Sequence, residues 1–218
     1  MEGKRGIELA KSDQSDRVSV VIGDTVLKPQ GHPTSVRFER QSAHVYLVID
    51  TSGSMAGSKL EQVKEGAVDF AKDAFRKEYA EGLISFDSAA KHVCEPTYDI
   101  ELLKDRVHRM RVAGTTNMAE AIRMAHDHLR PLAGTRVIVL ATDGVPNNVQ
   151  DALREGMKAK ADKIDIITIG TDDADLNFLR ELATRAELSK KVAREALSHG
   201  ITQASSLLPP PKSVTTRQ

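Results

Sequence analysis

The segment "VYLVIDTSGSMAGSKLEQ", residues Val45 to Gln62, decides the fold class of this 218-residue chain. Five apolar residues lead into Asp50, and a cluster of serines and glycines follows. The apolar stripe of an amphipathic helix then begins at Leu60. A nearly continuous apolar run of this kind is typical of a strand that is buried on both faces, as in a parallel sheet covered by helices.

The same alternation of apolar run and amphipathic helix repeats along the chain. Further buried runs are "GLISF" (82–86), "VIVLA" (137–141) and "IDIITI" (164–169), and helical stripes begin near residues 58, 100, 118, 152 and 176. "KHVCEP" suits an antiparallel partner of "GLISF". The pattern predicts the α/β class, with a doubly wound, mostly parallel sheet, one antiparallel edge strand and helices on both faces. Residues 186–208 fit either a short strand and a last helix or one continuous helix.

Three segments are expected. Residues 1–42 form an N-terminal arm in which "RVSVVIG" and "TSVRFER" alternate like strands, which predicts either a small hairpin or an added edge strand. Residues 43–208 form the α/β domain. Residues 209–218, which begin with three prolines, are expected to be a disordered tail.

Composition limits the partners of the chain. Thirty-one basic and thirty-one acidic residues cancel, so no global charge favours nucleic acid or an anionic membrane. No apolar stretch reaches the roughly 18 residues needed to span a bilayer, and the N-terminus lacks the apolar region of a signal peptide. The single cysteine, Cys94, excludes an intrachain disulfide. We therefore expect a cytoplasmic protein with neither nucleic acid nor membrane as partner.

The serine-rich loop after Asp50 does not match several familiar motifs. A phosphate loop needs a different spacing between its glycines and its lysine. A helix-loop-helix calcium site needs glycine at the position of Met55 and carboxylates where the serines stand. A serine nucleophile needs a nearby base, and His126 and His128 lie two apart on one helix and face different ways. Simple capping of the next helix remains an alternative.

Other strand ends carry matching chemistry. Asp143 follows the buried run "VIVLAT", and Thr115 and Thr116 lie on a glycine-bearing loop before a helix. In open α/β sheets, ligands bind at the carboxyl ends of the strands. Carboxylates and hydroxyls without sulfur or imidazole form a hard oxygen site, which suits Mg²⁺, Mn²⁺ or Ca²⁺ and argues against zinc or copper.

Three motifs together, "DTSGSM", "GTTNM" and "TDG", closely resemble the metal-ion-dependent adhesion site of the von Willebrand factor A family. The resemblance implies that Ser52 and Ser54 ligate the metal directly, with Asp50 acting directly or through water. It further implies that Asp143 acts largely through water and that Thr116 is a switchable ligand. Thr115 stands where the family usually has a second glycine. Four residues around this site are expected to face a partner: Met55, Thr115, Asn117 and Gly144.

The resemblance implies a binding module of the bacterial intracellular type, not an enzyme. Its under-neutralised cation would attract a glutamate or aspartate of a partner protein. Adaptors of AAA+ ATPases, or of kinase and phosphatase systems of the tellurium-resistance type, are the alternatives within this class. A metal-assisted phosphohydrolase and a structural domain with an empty site are alternatives outside it.

Three features outside these motifs have simpler interpretations. Asp172, Asp173 and Asp175 suit a helix cap better than a second metal site. Cys94 is expected to be a packed small hydrophobe, and the basic run "RVHRMR" a solvated helix face.

Overall fold

The apolar runs of the sequence form the central sheet of the protein. In the computed structural model, residues 8–10, 19–22, 25–27, 37–171 and 173–217 are described, with side chains over 42–171 and 173–212. The chain divides into two compact units, Met1–Arg40 with Thr215–Gln218, and Gln41–Val214. None of the helices in these described ranges is long and apolar enough to cross a membrane.

The N-terminal unit holds a three-stranded antiparallel sheet in the order β1-β2-β3. The strands are β1 (Glu8–Ala10), β2 (Ser19–Ile22) and β3 (Thr25–Leu27). The run "RVSVVIG" therefore contributes a strand, as its alternation predicts. Its antiparallel neighbour toward the C-terminus is β3, because Ile22 pairs with Thr25. The run "TSVRFER" instead leads into the long strand β4 (Arg37–Asp50).

The larger unit contains a mixed sheet in the order β6-β5-β4-β7-β8-β9. Its further strands are β5 (Tyr79–Phe86), β6 (Ala90–Thr97), β7 (Thr135–Thr142), β8 (Asp165–Gly170) and β9 (Ser189–Lys191). All neighbouring pairs along this order are parallel except β5 with β6. The predicted mostly parallel sheet with one antiparallel edge strand is confirmed.

Helices cover both faces of this sheet. They are α1 (Ser58–Arg76), α2 (Ile100–His108), α3 (Met118–Leu129), α4 (Val149–Ala161), α5 (Leu176–Leu182) and α6 (Leu197–Ala204). Side chains of α1, α2 and α6 pack with Val45, Leu47 and Ile49 of β4 in one core layer. Those of α3, α4 and α5 pack in the other layer, with Tyr46 and Val48. The period of two in β4 thus separates two cores.

Two details differ from the sequence expectations. The spacing of Ala152, Gly156, Met157 and Ala161 predicts an apolar stripe on α4, but Met157 is 59% exposed. The helix buries Ala152, Gly156 and Ala159 instead. The segment expected to be a disordered tail contains a strand, β10 (Lys212–Arg217). Two hydrogen bonds tie the backbone near the start of β10 to the sheet. The Tyr79 hydroxyl donates to the Pro209 carbonyl, and the Lys212 amide donates to Thr135 Oγ1.

Candidate metal centre

Asp50 is the last residue of the central strand β4, and both of its carboxylate oxygens are engaged. Oδ1 accepts the Ser52 amide at 2.8 Å, and Oδ2 accepts the Thr142 hydroxyl at 2.6 Å. Thr142 ends the neighbouring parallel strand β7, so the sheet itself aligns the two side chains. Asp50 is fully buried. Burial raises the pKa of its carboxyl, the hydrogen bonds from Ser52 and Thr142 oppose that rise, and the charge of Asp143 adds to it.

The two loop serines link Asp50 to Asp143. Ser52 Oγ lies 3.1 Å from Ser54 Oγ, and the Ser54 hydroxyl donates to Asp143 Oδ1 at 2.8 Å. A 3-10 turn over Gly53–Met55 brings the serines to this position, and its first bond is the Met55 amide to the Ser52 carbonyl at 2.9 Å. Ser52 is buried and Ser54 is exposed. Four of the five predicted metal ligands therefore form one connected cluster that reaches the surface.

The loop that carries Thr116 is bound to the serine loop through its backbone. The Ala113 amide donates to the Thr51 carbonyl at 2.8 Å, and the Gly53 amide donates to the Gly114 carbonyl at 3.2 Å. Thr116 Oγ1 lies beside Gly144, 4.0 Å from where a Cβ would stand on that glycine. Thr116 thus borders the loop of Asp143. The five residues Asp50, Ser52, Ser54, Thr116 and Asp143 are called the sheet-edge site below.

Thr115 points to other partners. Its hydroxyl lies 3.3 Å from Ser88 Oγ and accepts the Asn147 side-chain amide at 3.1 Å. Gly114 precedes it with a φ of +58°, and a Cβ there would lie 2.2 Å from Ser88 Oγ, so glycine is needed at that position. The loop geometry therefore favours Thr116 over Thr115 as the threonine of the site.

Met55 corrects one expectation. It was predicted to face a partner, but it is fully buried in the core layer of α1. The 3-10 turn directs its side chain inward while Ser54 beside it stays exposed. The other three predicted partner-facing residues lie at the surface: Thr115 is exposed, and Asn117 and Gly144 are half-buried. Asn117 is partly used within the fold, since its side-chain amide donates to the Ser88 carbonyl and to Glu120.

Lys59 belongs to this site and was missed by the sequence analysis. It lies in the first turn of α1, is 7% exposed, and its ammonium is bound to Asp143 Oδ2. The same ammonium lies 3.2 Å from Asp173, which also accepts a hydrogen bond of 2.7 Å from Arg194. The hydrogen bond from Arg194, and after it that from Lys59, lowers the pKa of Asp173. The only sequence signal for Lys59 was its place in the rejected phosphate-loop pattern.

The aspartates before α5 have structural roles. Asp175 caps α5, because its side chain accepts the amides of Asn177 at 2.9 Å and Phe178 at 3.2 Å. Asp173 forms the ion pairs described above, and Asp172 lies outside the described residues. The capping expectation is confirmed for Asp175. Cys94, as expected, is buried in the core layer of α1.

The donor set fits a hard divalent cation. Two carboxylates and two serine hydroxyls are linked at one sheet edge, with the Thr116 hydroxyl beside the loop of Asp143, and each of these groups is a type of oxygen that Mg²⁺, Mn²⁺ and Ca²⁺ accept. The environment of Asp50 also favours a cation electrostatically, since burial and the charge of Asp143 both raise the cost of ionising Asp50.

Comparison with solved structures places the fold. A pilus-tip domain from Porphyromonas gingivalis, described as the vWF domain of Mfa5, matches 77% of this chain and 95% of its own, with a TM-score of 0.69 and 14% identity. Proximal thread matrix protein 1 from the mussel byssus, in a structure with a zinc-occupied MIDAS motif, matches 84% of this chain and 50% of its own. Its TM-score is 0.70 at 17% identity. At these identities the likeness is one of fold.

Sequence comparison finds mammalian relatives. Inter-alpha-trypsin inhibitor heavy chain H3 of Homo sapiens is 25% identical over 175 residues, and heavy chain H1 of Bos taurus is 28% identical over 186 residues. The matches cover 71% and 76% of this chain, but only about a fifth of each relative (19% and 20%). The bacterial intracellular type thus stays a prediction. A family model for the von Willebrand factor type A domain matches residues 44–204, and the chain belongs to that family.

Proposed function

We propose that this domain is a metal-dependent protein-binding module. The sheet-edge site would hold Mg²⁺, or Mn²⁺ or Ca²⁺ in its place, and a partner would supply a glutamate or aspartate. Domains of this family are commonly metal-dependent protein-interaction modules. The observation that carries the proposal is the connected cluster from Asp50 through Ser52 and Ser54 to Asp143, which opens to solvent at Ser54.

The chain's own residues divide the work of such a site. Asp50 is held rigidly by Thr142 and by the Ser52 amide, so it supplies a fixed negative charge below the surface. The neutral hydroxyls of Ser52, Ser54 and Thr116 add oxygen ligands without adding charge. A bound Mg²⁺ would supply an under-neutralised cation with an open position for a partner's carboxylate oxygen. Pairing of desolvated charges of this kind contributes to specificity and slows release.

We further propose a binding role without turnover, in a cytoplasmic setting, with an adaptor in an AAA+ ATPase or kinase and phosphatase system as the alternative within this class. Lys59, the lysine nearest to the site, supports the absence of catalysis because two carboxylates hold its ammonium. The balanced net charge supports a protein partner over nucleic acid.

The test combines metal binding and partner capture. Saturating Mg²⁺ should raise the melting temperature of the wild-type chain by roughly 5 to 10 °C, because about 100-fold excess over Kd adds about 2.7 kcal/mol. Ser54→Ala should remove most of this shift, whereas Ser58→Ala, at an exposed position in the first turn of α1, should keep it.

A partner captured from source-cell lysate in Mg²⁺ should be released by EDTA and should not bind Ser54→Ala.

Equal Mg²⁺ shifts in wild type and Ser54→Ala would contradict the metal assignment. Capture that survives both EDTA and Ser54→Ala would show that partner binding does not use this site. Metal-dependent hydrolysis of phosphate esters that is lost in Ser54→Ala would establish the phosphohydrolase alternative instead.

A further inference from the structure

A second group of metal-ligating side chains lies away from the sheet-edge site. His92 and Glu95 belong to the edge strand β6, and His128 lies in the last turn of α3. Each offers one ligand atom, and the three atoms all lie within 4.8 Å of one another. We propose that this histidine cluster (His92, Glu95 and His128) is a second metal site of the domain, selective for a divalent transition ion such as Zn²⁺.

The separations between ligand atoms suit such an ion. Zinc binds nitrogen and carboxylate oxygen at about 2.0–2.2 Å, so two ligands of a tetrahedral ion lie about 3.4 Å apart. His128 Nδ1 is 3.4 Å from Glu95 Oε1, and His92 Nε2 is 3.7 Å from the same oxygen. The two imidazoles are stacked, with ring centres 4.0 Å apart and an angle of 1° between planes. Because a metal lies in the plane of each imidazole that binds it, the two rings must turn toward each other before their nitrogens share one ion.

The hydroxyl of Tyr46 contacts two members of the histidine cluster, Glu95 and His92. It donates to Glu95 Oε2 at 3.0 Å and lies 2.9 Å from His92 Nε2. Burial raises the pKa of the Tyr46 phenol, so it keeps its proton and remains a donor. Glu95 Oε2 is therefore occupied by a hydrogen bond while Oε1 faces both histidines. Metal-binding carboxylates are commonly fixed by an outer hydrogen bond of this kind.

The sheet makes room for this arrangement. Tyr46 pairs with Gly82 in the parallel register of β4 and β5. A Cβ on Gly82 would lie 2.4 Å from the Tyr46 ring, so only glycine lets the phenol cross β5 and reach the edge strand β6. Tyr46 is four residues before Asp50, roughly 13 Å along the strand. The histidine cluster and the sheet-edge site are thus separate.

The cluster is also chemically ready to bind a metal. Burial, and after it the neighbouring His128, lowers the pKa of His92, which favours the neutral imidazole. Its tautomer with the proton on Nδ1 offers the Nε2 lone pair to a metal. The side chains are 25%, 33% and 69% exposed for His92, His128 and Glu95, so an ion can enter from solvent. Two imidazoles with one carboxylate favour zinc-class ions over Mg²⁺, whereas the all-oxygen sheet-edge site has the opposite preference.

The experiment is a calorimetric titration of the full chain with ZnCl₂ in excess Mg²⁺, which by the proposed function fills the sheet-edge site. We expect one zinc ion per chain at the histidine cluster. His128→Gln and Glu95→Gln should each weaken zinc binding by about 100-fold or more, and Tyr46→Phe by about 10- to 100-fold, since it removes only the outer hydrogen bond. His199→Gln, at an exposed histidine of α6, is the matched control and should not change the zinc affinity.

Ser54→Ala separates the two sites, and zinc binding at the histidine cluster should survive it. Loss of all zinc binding in Ser54→Ala, or an unchanged affinity in both His128→Gln and Glu95→Gln, would overturn the proposal. Circular dichroism of each metal-free variant checks the fold. Glu95→Gln, at a largely exposed side chain, decides the matter if His128→Gln does not fold.

Discussion

Lys59 is a cation that the chain itself supplies to the sheet-edge site. Its ammonium is bound to Asp143 and lies 3.2 Å from Asp173, so it partly neutralises the carboxylate that a metal would use. Asp143 has no exposed side-chain surface, and a buried carboxylate without a cation is costly. Lys59 therefore stabilises the metal-free domain and competes electrostatically with an arriving divalent ion.

Lys59→Met should separate these two effects. Without metal, we expect the free energy of unfolding to fall by about 3 kcal/mol, because Asp143 loses its buried partner. Mg²⁺ should bind about tenfold more tightly, since one positive charge near the site is gone. Urea unfolding and calorimetric titration measure the two quantities.

Lys72→Met is the control for Lys59→Met. Lys72 lies on the same helix and forms an ion pair with Asp69, but 47% of its side chain is exposed. Lys72→Met should change neither the free energy of unfolding nor the Mg²⁺ affinity appreciably. Weaker Mg²⁺ binding in Lys59→Met would mean that Lys59 holds Asp143 in its binding geometry and does not compete with the metal.

At the scale of elements, the contact between α1 and α6 depends on Gly66. A Cβ on Gly66 would lie 2.6 Å from the Ser198 carbonyl oxygen and 3.0 Å from Ile201 Cβ. The backbones of the two helices thus approach as closely as a glycine allows. Helix propensity alone gives alanine an advantage of about 1 kcal/mol at such a position, so the packing here opposes the local preference.

Gly66→Ala should therefore destabilise the domain by about 1 to 3 kcal/mol, despite the better helix former. Urea unfolding gives this value, and hydrogen exchange should show faster opening of α6 because the clash separates it from α1. Glu65→Ala, at the exposed neighbouring position, should stay within about 0.5 kcal/mol of wild type. A stabilised Gly66→Ala would show that α6 moves away from α1 without cost.

For the whole domain, Glu81 makes stability depend on pH. It lies on β5, is 1% exposed, and its Oε2 has no hydrogen-bond partner among the described residues. Desolvation by burial raises its pKa well above the ordinary glutamate value of 4.5. The folded domain thus binds this proton more tightly than the unfolded chain does. The stability that Glu81 contributes is complete below pH 4.5 and is lost as pH rises toward the folded-state pKa.

Glu81→Gln should remove this loss. We expect it to be more stable than wild type near neutral pH by more than about 1 kcal/mol, the equivalent of one pKa unit, with the advantage fading toward pH 4.5. Urea unfolding across the pH range measures the difference between the two proteins. Glu195→Gln, at an exposed position, should follow wild type throughout. A pH-independent difference between Glu81→Gln and wild type would contradict the assignment.

The local pattern of the sequence was enough to predict the strands from β4 to β8, their order of alternation with helices and the fold class. Buried strands and amphipathic helices leave a periodicity that depends only on near neighbours in the chain. The candidate ligands Asp50 and Asp143 were accessible to the same reasoning, because parallel strands end at a common edge. The burial of Met55 could not be predicted in this way, since it depends on the direction of one short turn, Gly53–Met55.

Residues distant in sequence met only through tertiary structure. Lys59 reaches Asp143 across 84 positions, and Tyr46 reaches His92 across 46. In the sequence, nothing distinguished His128 from the other histidines on helices, such as His126, and Gly82 was one small residue in an apolar run. The sequence by itself determined a parallel sheet with an oxygen-rich edge. Only the packing of α3 against β6 assembled the histidine cluster, because side-chain proximity across elements leaves no periodic signal in the chain.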